Sequence, residues 1–326
     1  MKEISYYKYI LDKDIHYNKI RLIPNRDIEL HFTKISNIYL YPRLWSVITN
    51  DLFIFSDFER YLSSYKHHKE IIGNQNKIKK ISKSIPIIKG NFFLFGGEEN
   101  YWHFIIDFIP RLICLNQLSE TELHIIIPEN LPEKFIQFII KLTKLMNINK
   151  ISFLKINHNN LIYSFENLIF TSKPSISFTS HFFYKFLGNT ILKEKKINLY
   201  IKRGNTLNRR VLNEDKIIDL LKKYNYFVID CSQITIEDQI RHFSKAKNII
   251  IPSGASMANL LFIPDKINVV EIRSNLDGDF SKRINLDDRF FLYHFEKTIK
   301  VGKKLRKDII VDIEELKKLI EQKNIF

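Results

Sequence analysis

The stretch that decides the fold lies between residues 197 and 272. It reads INLYIKR (197–203), NEDKIIDLLKKYN (213–225), YFVIDC (226–231), TIEDQIRHFSKAK (235–247), NIIIP (248–252), SGASMANLLFI (253–263) and NVVEI (268–272). Short runs rich in Ile, Val, Tyr and Phe alternate with segments whose apolar residues recur at helical spacing. Asn213 stands before the first helix, with Glu214 and Asp215 in its opening turn, and Thr235 is placed to cap the second. Strands and helices alternating at this spacing predict a parallel, Rossmann-like sheet.

Working outward, DIEELKKLIEQ (312–322) is a terminal amphipathic helix. Upstream, NFFLFGG (91–97) reads as a buried strand ending in Gly96-Gly97. NYWHFIIDFIPRLICLNQL (100–118) reads as a helix bent or restarted near Pro110. HIIIPEN (124–130), KISFLKI (150–156) and LIYSFENLIF (161–170) read as strands. LPEKFIQFIIKLTKLMN (131–147) reads as an amphipathic helix with Pro132 in its first turn. The pattern is mixed over 171–198, which places a domain crossover there. Residues 1–90 are irregular, with β-like pieces IELHFTKI (28–35) and LFIFSDF (52–58) among charge clusters. The expected architecture is α/β: two Rossmann-like domains facing each other across a cleft. They span 1–185 and 186–326, and the terminal helix is able to pack back on the first.

With 326 residues and 45% apolar composition, the chain supports a large core and excludes wholesale disorder. Lys and Arg number 51 against 36 Asp and Glu, a net charge of +15 that predicts anionic partners. Two cysteines, Cys114 and Cys231, exclude a disulfide scaffold, and without a Cys-x-x-Cys pair a structural zinc site is not expected. Both are read as buried free thiols in a reducing compartment. No signal-peptide core and no run of about 18 uncharged apolar residues is present. The expected setting is cytoplasmic.

Three segments carry polar residues that structure alone does not demand. In the first, His103 and Asp107 are four apart and share a helix face. A carboxylate beside an imidazole can orient it, and either group suits general-base work, though the two can equally pair for stability. In the second, Lys202, Arg203, Arg209 and Arg210 surround the carboxyl end of a predicted parallel strand, where ligands bind in open α/β sheets. Guanidinium forks suit phosphate oxygens. A solvated basic loop is the alternative, and the better one for Arg209 or Arg210 singly. In the third, Ser253, Gly254, Ala255 and Ser256 run into Asn259 where a helix opens, so small residues and backbone N–H groups could receive an anion. Glu271, ending the next strand, is placed to accept from ribose hydroxyls. Asp12/Asp14 and Asp277/Asp279 have metal-pair spacing and are read as surface acids. His67-His68 is read as solvated surface.

Taken together and in order, these segments resemble glycosyltransferase family 61. Asn100, His103 and Asp107 match its helix motif. Arg203, Arg209, Arg210, Asn213 and Glu214 match its strand-end motif, and Gly254, Ala255, Asn259, Phe262, Pro264 and Glu271 match its third. The resemblance spans roughly residues 90–275 and departs at Ser253, where the family usually has His. It implies a GT-B-like fold and an inverting, metal-independent transferase without a cofactor. The donor would be a nucleotide-diphosphate sugar, commonly UDP-linked, bound in the C-terminal domain by Arg203, Arg209, Arg210, Ser253, Gly254, Ala255, Ser256, Asn259 and Glu271. The N-terminal domain would receive a glycan or glycolipid acceptor near Asn100, Trp102 and Arg111, with either Asp107 or His103 as base and the other orienting it. Surface polysaccharide, capsule or lipopolysaccharide would be the product, and the positive charge would hold the enzyme peripherally at an anionic inner membrane. Two rival classes remain: a non-catalytic nucleotide- or glycan-binding protein of the same fold, and a basic nucleic-acid-binding protein. The latter is not expected, because no helix-turn-helix or RNA-recognition signature appears. A methyl or acyl transferase on a Rossmann sheet is a more distant third.

Overall fold

The computed structural model describes residues 2–4, 17–22, 29–43, 45–51, 53–55, 71–96, 99–118, 123–148, 150–188, 197–204, 206, 209–273, 280–285, 288–301 and 308–326. Asp12, Asp14, His67, His68, Gly97, Asp277 and Asp279 lie outside them. The chain divides into two units, Met1–Phe182 and Phe183–Phe326.

The first unit is built on a mixed sheet. Strands β1 (Lys2–Ile4), β2 (Tyr17–Arg21), β3 (Glu29–Tyr41), β4 (Ser46–Ile48) and β5 (Phe53–Phe55) come from the irregular N-terminal stretch. They join β6 (Ile87–Leu94), β7 (His124–Pro128), β8 (Ser152–Ile156) and β9 (Tyr163–Thr171) in the order β1-β5-β4-β3-β9-β6-β7-β8, with β2 beside β3. The half β9-β6-β7-β8 is parallel, as the sequence predicts. The long β3 pairs antiparallel with β9, which sews the N-terminal strands onto that parallel half. Ile38, Leu40, Phe92, Leu94, Ile126, Phe165, Leu168 and Phe170 form a buried cluster on this sheet. Each such side chain contributes about 1.5–3 kcal/mol by leaving water. The helix Glu133–Leu145 begins immediately after Pro132, which occupies the cap rather than the first turn. Its Phe135 stacks on Phe104 with ring centroids 4.0 Å apart.

The second unit holds the parallel sheet read from residues 197–272, extended by a fifth strand that the sequence reading does not place. Its strands are β10 (Ile197–Ile201), β11 (Tyr226–Ile229), β12 (Ala246–Pro252), β13 (Ile267–Ile272) and β14 (Phe290–Phe295), in the order β11-β10-β12-β13-β14. Every pair in it is parallel. A ladder of amides crosses three strands near their starts. Asn248 Nδ2 donates to Asn198 Oδ1 and Asn268 Nδ2 donates to Asn248 Oδ1, each at 2.8 Å. Tyr200, Ile250, Val270, Ile272 and Phe295 share one buried cluster with Ile217 and Leu221 of helix Glu214–Lys222 and with Leu316 and Ile320 of helix Ile313–Gln322. The sequence leaves room for the terminal helix to return to the N-terminal domain; its apolar face instead enters the core of its own unit. Strands β15 (Thr298–Val301) and β16 (Asp308–Val311) form a separate antiparallel ribbon. No described helix is long and apolar enough to cross a membrane.

Candidate functional site

In the second unit the site residues gather at the carboxyl ends of β10 and β12. Arg203 follows β10 by two residues. Its backbone N–H donates to Glu214 Oε1 at 2.7 Å, and the buried Tyr200 hydroxyl donates to the same oxygen at 3.0 Å. Burial raises the Glu214 pKa against the opposing pull of these donors and Lys202; burial, then Glu214 itself, pushes the Tyr200 phenol well up. Gly204 turns the chain with φ +67°, a left-handed conformation that glycine adopts without strain. The Arg203 Nε donates to the Arg209 carbonyl at 3.1 Å, which directs the guanidinium across the sheet edge toward Gly254.

Gly254 opens the 3₁₀ helix Ala255–Phe262. Its φ of 173° is extended backbone open to any residue, so space rather than conformation demands glycine here. A Cβ would stand 1.8 Å from Arg203 Nη1. The sequence suggests small residues in this turn to let a ligand approach; one of them admits an arginine of the same chain. Beside it, Ser253 is 3% exposed, its N–H donates to the Ile272 carbonyl, and its buried Oγ has no hydrogen-bond partner among the described residues. Asn259, fully buried, donates to Gln239 Oε1 at 2.9 Å, while Gln239 Nε2 donates to the Cys231 carbonyl. Asn259 therefore ties the turn to the loop after β11. Cys231 is half-buried, less enclosed than its apolar context suggests, and Cys114 is buried.

Glu271 is 0% exposed on β13. It accepts from Ser281 Oγ, and its Oε2 lies 3.5 Å from His294 Nε2 on the neighbouring strand. Neither Ser281 nor His294 carries a local sequence signal; strand register pairs Glu271 with His294. Arg210 lies in another environment. Its Nε and Nη2 both donate to Asp308 Oδ2, at 2.9 and 2.6 Å, and its N–H to Asp308 Oδ1. Asn213 precedes its helix as expected, but its side chain does not cap it. Instead it exchanges two hydrogen bonds with the Val311 backbone. Arg210 and Asn213 together fasten the loop after β10 to β16.

In the first unit, β6 runs into Gly96, whose φ of +141° and closeness to Phe108 (a Cβ would meet the ring at 2.4 Å) both require glycine. The Asn100 Oδ1 caps the next helix by accepting from Trp102 N–H at 3.0 Å, and the Trp102 side chain is buried. That helix is composite: an α turn, Tyr101–His103; a π turn, Phe104–Phe108; and a 3₁₀ segment, Ile109–Gln117. Ile109 N–H reaches back five residues to the Phe104 carbonyl. Pro110 supplies no N–H to the Ile106 carbonyl, and Thr179 Oγ1 does so instead at 2.8 Å. The bend predicted at Pro110 is thus a change of helix type that begins before the proline. Within it, His103 Nδ1 lies 3.2 Å from Asp107 Oδ2. Asp107 is 0% exposed and the His103 side chain 20%. Arg111 is buried, with Nη1 3.3 Å from the Phe95 carbonyl and its guanidinium over the Phe108 ring. No cluster of three or more metal-ligating side chains occurs among the described residues.

The family model for glycosyltransferase 61 matches residues 101–270, more than half of the chain and nearly the whole interval from Asn100 to Glu271. Among solved structures, the E. coli heptosyltransferase WaaC with ADP is similar at 9% identity and a TM-score of 0.33, over 73% of this chain and 98% of that one. The same heptosyltransferase with ADP-2-deoxy-2-fluoro heptose gives 10% identity and a TM-score of 0.33, over 72% and 100%. No curated protein matches the chain. The family match spans the helix that carries His103 and Asp107, the Arg203 strand end and the Gly254 turn, and on that match the chain belongs to glycosyltransferase family 61.

Proposed function

We propose that this glycosyltransferase moves a monosaccharide from a nucleotide-diphosphate sugar, UDP-linked in the first instance, to a hydroxyl of a carbohydrate acceptor, with inversion and without a metal. The observation that carries the donor half is the Arg203 guanidinium seated against Gly254, next to the buried Ser253 hydroxyl, which has no hydrogen-bond partner among the described residues. Together they present charged and neutral donors at the carboxyl edge of a parallel sheet, where a leaving diphosphate is stabilised as its negative charge develops. Arg209 supports Arg203 through its carbonyl, and Arg210 serves the loop rather than the ligand.

For the acceptor half, burial divides the roles that residue types leave open. Asp107 is sealed from solvent and faces Nδ1, so it orients the imidazole and stabilises its cation. His103, partly exposed, is the base, acting through Nε2, the ring nitrogen that Asp107 does not use. The acceptor oxygen loses its proton to Nε2 and bonds to the anomeric carbon. The bond from that carbon to the diphosphate oxygen breaks, and its electron pair leaves with the nucleotide. A single displacement inverts the centre.

The test is nucleotide binding by the full chain, followed by thermal shift and calorimetry over UDP, ADP, GDP and CDP with and without Mg²⁺. At a fixed excess of ligand, the rise in melting temperature grows with the logarithm of affinity. UDP is expected to stabilise the protein without metal, and Arg203→Ala to remove most of that shift. Stabilisation by no nucleotide, or an unaltered shift in Arg203→Ala, would reject the donor assignment.

A further inference from the structure

In the second unit the strands lie in the order β11-β10-β12-β13-β14. The chain leaves β10 for β11 on one side and then crosses back to β12 on the other. In an open parallel sheet such a reversal is where a ligand settles, at the carboxyl ends of the strands. Arg203 and Gly254 occupy the β12 side of that point. On the β11 side stands Asp230, which reads in the sequence only as part of a strand and directly follows β11 in the fold.

Asp230 stands close to the level of the arginine. Ile229 is paired with Ile201, so Asp230 and Arg203 lie one and two residues beyond the same rung, on strands about 4.8 Å apart. Lys202 N–H donates to the Ile229 carbonyl at 2.8 Å, which carries the pairing up to that level. The Asp230 carboxylate covers Gly204, the residue after Arg203: a Cβ there would stand 2.9 Å from Oδ2 and 3.2 Å from Oδ1. Ser232 donates to Oδ1 twice, from its N–H at 2.8 Å and from its Oγ at 2.6 Å. These bonds fix the direction of the group, and a carboxylate so held still has acceptor positions on its second oxygen. Asp230 is partly exposed. Glu271, the acid that the sequence places for ribose, is 0% exposed and accepts from Ser281.

A diphosphate held between Arg203 and Gly254 carries its ribose one ester bond away. In sheets of this kind an acid at the end of the strand beside the phosphate turn takes a ribose hydroxyl. We propose that Asp230 accepts a hydrogen bond from the ribose 2′-hydroxyl of the nucleotide through Oδ2, and so makes the donor site specific for ribonucleotides. This rests on the donor reading above and adds to it the residue that reads the sugar of the nucleotide itself.

The experiment is calorimetric titration of the full chain with UDP and 2′-deoxy-UDP, and with ADP and 2′-deoxy-ADP, so that the choice of base does not decide the result. The ribonucleotide is expected to bind about tenfold more tightly than its deoxy counterpart, the loss typical of one charged hydrogen bond. Asp230→Ala is expected to weaken the ribonucleotide about tenfold and to leave the deoxynucleotide as in wild type, so that the ratio falls to about one. Asp230→Asn keeps an acceptor for Ser232 without the charge. It is expected to show an intermediate ratio, and it carries the test if Asp230→Ala fails to fold. Equal affinity of wild type for the two sugars, or a ratio indifferent to residue 230, would overturn this proposal alone, because the effect of Arg203→Ala reports separately on the donor site. Binding of no nucleotide would overturn both.

Discussion

The guanidinium of Arg203 fills the space that a side chain at residue 254 would need. The two residues sit on different strand ends, yet a Cβ on Gly254 would come within 1.8 Å of Arg203 Nη1. Gly254→Ala leaves the backbone unstrained because its φ is extended, so its effect falls on the arginine. It is expected to lower nucleotide affinity about as far as Arg203→Ala does. The double variant should be no worse than either single one, since both remove the same group from the same place. Calorimetry on the three variants measures this; additive losses would contradict it.

Ser253 predicts opposite changes in stability and in binding. Its buried hydroxyl has no partner among the described residues, a condition that costs about 1–3 kcal/mol when nothing compensates it. Ser253→Ala is therefore expected to hold or raise the urea midpoint of the free protein. If a ligand oxygen is the missing partner, the same substitution weakens nucleotide binding by about tenfold.

The division between His103 and Asp107 is testable by turnover. His103→Ala is expected to lower kcat by about 10²–10⁴, the usual worth of a positioned base. Asp107→Asn is expected to lower kcat as well while leaving nucleotide affinity intact. Transfer at the wild-type rate in His103→Ala would remove His103 from the chemistry.

Thr179 predicts a structural effect on the same helix. Thr179→Val leaves the Ile106 carbonyl buried without its side-chain donor and is expected to cost about 1–3 kcal/mol by chemical denaturation. Adding Pro110→Ala restores an N–H at residue 110 and is expected to recover part of that loss. No recovery would mean that proline is not the reason the carbonyl turns to Thr179.

Glu214 sets a pH dependence. Burial raises its pKa in the fold, so the stability tied to its protonated form is complete below the usual glutamate range and is lost as pH rises through the folded pKa. Glu214→Gln keeps an oxygen to accept from Arg203 N–H and Tyr200 and carries no charge. It is expected to be more stable than wild type at pH 7 and to flatten the melting-temperature profile between pH 4 and 7. A profile identical to wild type would show that the carboxylate is not desolvated.

What the sequence made legible was local. Apolar spacing placed the four strands and the intervening helices of residues 197–272, and residue types drew attention to His103, Asp107 and Arg203. What stayed hidden depends on partners far along the chain. Nothing near Arg210 announces Asp308, nothing near Asn213 announces Val311, and Thr179 lies 73 residues from the carbonyl it serves. Of the five N-terminal strands, the pieces 28–35 and 52–58 announce only β3 in part and β5, and their place in the sheet follows from β3 meeting β9, a pairing between residues about 130 apart. Asn100 and Asn259 stood out as candidate ligand residues; the structure shows them capping a helix and bracing a turn.

The asparagine ladder has a consequence for levelling. Arg203 follows Asn198 by the same five residues that separate Ser253 from Asn248, and the two asparagines are directly opposite one another. Locked at their feet, the two strands advance in step at about 3.3 Å per residue, so the arginine and the serine emerge at one height. If either strand slid by a single residue, the rungs would part and the two tips would be staggered. The amides at the far end of the sheet thus act as an alignment gauge for the grip on the leaving group.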